Sequence, residues 1–167
     1  MSYLSCINQF SKMLGNLSAM LDKAELRARE KKFDVDVLLQ SRLAPDQFNF
    51  IRQIQISCDT AKLSAASWAN KEAPAHPDTE KTLAELKSRI ETTRSYLATF
   101  KDDDFNEASA RKIYRPRWEG KYLYGEEFLL EYVIPNFYFH VTTAYAILRH
   151  NGVNLGKKDY LGSINYR

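Results

Sequence analysis

The opening segment, from about Ser2 to Arg29, constrains the fold most. Tyr3, Ile7, Phe10, Leu14, Leu17, Leu21 and Ala24 recur in alternating steps of four and three. That is the period of a helix with one buried face. The seam lasts about three heptads and its flanks carry no regular charge pairing, so it predicts a bundle helix rather than an extended coiled coil. The run from Arg27 to Lys32 puts cations where a helix C-terminus favours them.

Further helices are needed to cover that face, and the chain supplies them. Phe33 to Ala44 is too apolar for a free linker and predicts a packed crossover with a short helical turn. Ala44-Pro45-Asp46 predicts the start of a second helix, because proline suits the first turn and an acid favours that end of the dipole. Phe48, Ile51, Ile54, Cys58, Ala61, Ala65 and Trp68 form its expected inner stripe. A loop with two prolines follows, and Asp78 is the expected N-cap of a third helix. Leu83, Leu86, Ile90, Thr93, Leu97 and Phe100 are in register along it. The run Lys101-Asp102-Asp103-Asp104 should end it, since acids oppose that end of the dipole.

Residues 110–125 change character. Ile113 to Trp118 alternates, Glu119-Gly120 is a turn signal, and Lys121 to Tyr124 completes a small β-hairpin. A helical stretch from Glu126 reaches Pro135, which bends or restarts it. The last helix runs to about His150, where Gly152 can take the left-handed conformation and Val153 can pack back. The sum is an all-α, elaborated four-helix bundle with a small β-hairpin before the last helix. The 167 residues are expected to form one domain.

Composition excludes little but does so usefully. The hydrophobic fraction is 44% and the charged fraction 27%, as in ordinary globular chains. A net charge of +3 is too mild to indicate nucleic acid. Cys6 and Cys58 are far apart and sit in apolar helical patterns, so they read as buried reduced thiols. No run is long enough for a membrane span, and the N-terminus lacks the pattern of a signal peptide. A cytoplasmic protein is the default.

The chemistry turns on the stretch PNFYFHVTTAYAILRHNGVNLGKKDYLG, residues 135–162. Asn136, His140 and Thr143 fall on one helix face. A neutral imidazole can bind a metal, but a catalytic zinc normally needs three protein ligands. No HExxH, no Glu-x-x-His pair and no cysteine cluster is present. His140 thus reads first as a buried histidine hydrogen-bonded to Asn or Gln, then as part of a polar small-molecule pocket, and last as a metal ligand. Gln53, Gln55, Asp59 and Tyr145 are polar residues beside apolar stripes and could line the same pocket. No nucleophile elbow or phosphate loop is found. Arg111, Lys112, Arg115, Arg117 and Lys121 mix with aromatics on the hairpin, a pattern that can bind single-stranded nucleic acid or an anionic ligand. The preferred reading is that the aromatics cover one end of the bundle while the charges face water.

The stretches RLAPDQFNFIRQIQ, DTEKTLAELKSRI and, above all, the one beginning at Pro135 resemble an uncharacterised family of bacterial and fungal proteins grouped with the DinB/YfiT-like superfamily. The resemblance covers nearly the whole chain. It implies an up-down-down-up bundle, often dimeric, in which many members bind a divalent metal through three histidines. Some act as thiol-dependent transferases or isomerases. The superfamily's last helix carries His-x-x-x-His, twelve residues from the second His to a terminal Gly. His140 stands twelve before Gly152 and matches that second position, whereas Asn136 replaces the first. The remaining ligand would come from the second helix, where this chain has Gln53 or Gln55 and no histidine. Carboxamides bind transition metals poorly beside imidazole. The expectation is a degenerate metal site without a cofactor, in a homodimeric protein that binds a small molecule or a partner. A superfamily-type transferase or isomerase is the alternative, and nucleic-acid association through the hairpin is the least expected.

Overall fold

The computed structural model describes residues 2–167. Helix α1, Tyr3–Lys31, carries the predicted seam, with Ile7, Phe10, Leu14, Leu17, Leu21 and Ala24 buried. Ser2 caps it by accepting a hydrogen bond from the Ser5 N–H at 3.1 Å. A 3-10 segment, Val35–Gln40, forms the crossover and buries Leu38 and Leu39. The crossover packs as expected, although Val37 and Leu43 stay exposed.

Helix α2, Phe50–Ala69, starts later than Pro45 predicts. Pro45 and Asp46 lie in a turn closed by Gln47 N–H to Ala44 O, and Asn49 is the N-cap. Phe48 is consequently not on the inner stripe and is 58% exposed. Helix α3, Leu83–Leu97, also starts later than expected. Thr82 and Glu85 form a reciprocal capping box, and Asp78 is drawn instead into ion pairs with Arg52 and Arg89.

Strands β1, Lys112–Tyr114, and β2, Tyr122–Tyr124, pair antiparallel with Ile113 opposite Leu123. Pro116–Trp118 form a 3-10 turn between them. One helical path then runs to the end of the bundle. It comprises α4, Gly125–Glu127, a π-helical stretch, Phe128–Val133, and α5, Ile134–His150. The π-helix has a local cause. Pro135 has no N–H to give to the carbonyl four residues back, and its ring crowds that carbonyl. Widening the preceding turn, with Ile134 N–H bonded to Leu129 O, makes the room. A short α6, Lys157–Leu161, folds back onto α1, where Asn16 donates to Tyr160 O at 3.0 Å.

Cross-helix contacts fix the helix directions. Thr60 meets Asn136 and Trp68 meets Gly125, so α2 and α5 are antiparallel. Asp22 meets Lys87 and Ser11 meets Arg94, so α1 and α3 are antiparallel. Asp59 meets Arg89 and Lys71 meets Asp104, a pattern that makes α2 and α3 parallel. The order is up-down-down-up. The core is one cluster in which Phe10, Trp68, Phe50, Phe128 and Phe137 are fully buried. Gly125 is required at its place, since a Cβ there would stand 1.8 Å from Ala108 O.

Candidate functional site

The antiparallel pair α2 and α5, roofed by the 3-10 turn of the hairpin, encloses a cleft of about 570 Å³. His140 lines it and is 6% exposed. Its Nδ1 lies 2.7 Å from Gln53 Oε1. Gln53 is fully buried, and its amide Nε2 donates to Phe48 O at 2.8 Å. The amide therefore presents its oxygen, an acceptor only, to His140. The ring proton must sit on Nδ1, which leaves Nε2 as an unprotonated acceptor. Burial, and then the positive charge of Arg52, push the His140 pKa down to about 4. The imidazole is neutral at physiological pH.

Asn136, one turn earlier, lines the same cleft and donates its amide to Thr60 Oγ1 at 2.9 Å. Asp59 is on the cleft wall too, yet its carboxylate is engaged by Lys62 at 3.1 Å and Arg89 at 3.0 Å. The other predicted residues lie elsewhere. Gln55 faces α3 and donates to Glu80 Oε2 at 2.8 Å. Thr143 shares the row of His140, but its hydroxyl bonds back to Phe139 O at 2.7 Å. Tyr145 packs edge-on against Tyr160, away from the cleft. The structure thus brings together Gln53, Asn136, His140 and Asp59 and separates Gln55, Thr143 and Tyr145 from them.

Several lining residues, among them Arg52, Ile56 and Leu63, escape the sequence reading, whereas Arg115 and Arg117 belong to the basic hairpin it names. Arg52, Arg115 and Arg117 all line the cleft. Arg115 donates to Ser67 Oγ at 3.2 Å and lies over the Phe128 ring at 4.8 Å. Arg117 lies over Tyr132 at 5.2 Å and donates to its hydroxyl. The expectation that the hairpin charges all face water fails for Arg115, which is half-buried. The basic cluster itself was legible in the sequence; its inward turn was not, because it depends on the fold of Pro116–Trp118. Phe48, Ile56 and Leu63 supply an apolar side to the same space.

Neither cysteine belongs to the cleft. Both are buried and unpaired, and burial pushes Cys6 up to about 11 and Cys58 up to about 12. Thiolate chemistry from either is therefore suppressed near neutrality. Among the described residues, no group of three His, Cys, Asp or Glu side chains is placed to hold a metal ion. No helix among them is long and apolar enough to cross a membrane. A smaller cavity of about 290 Å³, lined by His76, Glu80 and Arg89, lies on the α3 side and contains none of the cluster around His140.

The chain can be set beside known proteins. A family model described as a domain of unknown function, DUF1993, matches residues 3–161. Among curated proteins none matches. A crystal structure of a DinB family member protein from Shewanella denitrificans is 58% identical, covering 96% of this chain and 92% of that one, with a TM-score of 0.93.

Proposed function

The chain belongs to the DUF1993 family, and from that premise we propose that it is a small-molecule-binding bundle whose metal position has been given over to a hydrogen-bonded pair. The observation that carries this reading is the 2.7 Å contact between His140 Nδ1 and Gln53 Oε1. Where the DinB-like pattern implies a metal on three imidazoles, this chain has one imidazole and two carboxamides. A structural or catalytic zinc asks for more, and from better donors. Asp59, the one acid on the cleft wall, is neutralised by two cations and is a poor substitute. The residues present do not fit the metal.

The cleft remains. It is open, partly apolar and lined by a few convergent polar groups, which are the marks of a ligand site. An open cleft would also serve the transferase or isomerase alternative. The groups favour binding over catalysis. His140 is too weak a base near neutrality, and Asp59 has no free proton-accepting role beside Arg89 and Lys62. The inward turn of Arg115 suits a compact ligand more than an extended strand of nucleic acid.

Calorimetric titration with zinc and nickel tests the reading. The wild-type chain is expected to show no stoichiometric site. The double variant Gln53→His with Asn136→His restores three imidazoles and is expected to gain one. A stoichiometric wild-type site that disappears in His140→Ala would overturn the proposal.

A further inference from the structure

The cleft carries an imbalance of charge that the Gln53–His140 pair does not explain. Three guanidinium groups and one carboxylate line it, and that carboxylate, Asp59, is already matched by Arg89 and Lys62. Arg52 is paired with Asp78. Arg115 and Arg117 are not paired. Among the described residues, no carboxylate lies within 4.0 Å of either one. Glu119 and Glu131 border a neighbouring cavity with Arg117, beyond ion-pair distance.

Such an arrangement is unfavourable without a counter-charge. Arg115 is half-buried, held over Phe128 and tied by hydrogen bonds to Ser67 and Leu63 O. Burial and the neighbouring charge of Arg117 both push its pKa down. Two like charges lining one cleft favour an oxyanion beside them, and guanidinium N–H groups suit a carboxylate or phosphate. Stacking on Phe128 and Tyr132 holds both forks in place before a ligand arrives. Phe48 and Leu63, 58% and 40% exposed, offer an apolar side in the same cleft.

We infer that the ligand is an organic oxyanion, a carboxylate or phosphate monoester with an apolar body, its charged end held by Arg115 and Arg117 and its body against Phe48 and Leu63. This inference rests on the cleft being the ligand site. His140 Nε2, unprotonated, would accept a hydrogen bond from a donor on such a ligand.

NMR titration of the full chain with phenyl phosphate, benzoate and phenol tests it. At low salt, one or both anions should bind, shifting cleft resonances, and bind roughly tenfold or more tighter than phenol. Binding should weaken as salt is raised. Arg115→Gln and Arg117→Gln should each weaken it roughly tenfold. Arg117 is exposed, so its variant stays informative if the Arg115 variant folds poorly. Binding of phenyl phosphate alone selects the phosphate, of benzoate alone the carboxylate, and of both any oxyanion; each supports the inference. Phenol binding in the cleft as tightly as the anions overturns it while leaving the cleft as a ligand site. Anion binding untouched by both variants, or silence from all three probes, also overturns it and leaves the metal titration to judge the proposed function.

Discussion

His140 illustrates how one neighbour sets a residue's chemistry. The sequence puts Asn136 and His140 in register on one face, and the fold places them together on the cleft wall. It cannot decide between Gln53 and Gln55. Residues two positions apart on a helix are separated by about 200°, so only one of the two can face α5. Helix α2 buries both sides, with Gln53 and Gln55 each buried, and polarity alone does not say which side is which. Tyr145 fails for a similar reason, since five residues past His140 it points around the helix to Tyr160. The low His140 pKa has a consequence for stability. The unfolded chain binds the proton near pH 6.5 and the folded chain only near pH 4, so stability falls as pH drops through that window. The full loss is about 3 kcal/mol and is reached only below pH 4. Urea unfolding between pH 7 and pH 4.5 should show this slope, and His140→Gln should flatten it. An unchanged slope would mean that His140 is not held neutral by its surroundings.

At the scale of elements, the boundaries were the least legible part. The Thr82-x-x-Glu85 capping box was present in the sequence, yet Asp78 offers an equally good cap by type. What separates them is a tertiary contact. Arg89 is 4% exposed and reaches back from α3 to Asp59 at 3.0 Å, Asp78 at 2.9 Å and Glu80 at 2.9 Å. Gln55 adds a hydrogen bond to Glu80. One arginine thus fastens the proline-containing loop between α2 and α3 to the bundle, and the loop pre-empts the aspartate. The period of α3 puts Arg89 beside the buried stripe, three residues past Leu86 and four before Thr93, but a charged residue there reads as solvated. Removing Arg89 leaves Glu80 without a cation, while Asp59 keeps Lys62 and Asp78 keeps Arg52, a change worth about 3 kcal/mol. Arg89→Met should lose about that much in chemical denaturation. A loss below about 1 kcal/mol would place the network among surface ion pairs.

For the whole molecule, the fold was more legible than the site because the apolar stripes of α1, α2, α3 and α5 repeat cleanly and permit few packings. The inner rows of α1, α2 and α3 emerge buried almost as read, with Tyr3 and Ile51 partly exposed and Phe48 turned out. The cleft, by contrast, is assembled from residues far apart in the chain. Arg52 and Asp59 come from α2, Arg115 from the hairpin, Phe128 from the π-helical stretch and His140 from α5. No local pattern announces such a meeting. On the proposed reading His140 is a neutral, Nδ1-protonated ring held by Gln53 rather than a metal ligand. Long-range proton–nitrogen NMR of the His140 ring at neutral pH tests it most directly. The account predicts a protonated Nδ1, an unprotonated Nε2 and no change when zinc is added in slight excess. Ring-nitrogen shifts moving to those of a metal-bound imidazole on zinc addition would contradict it.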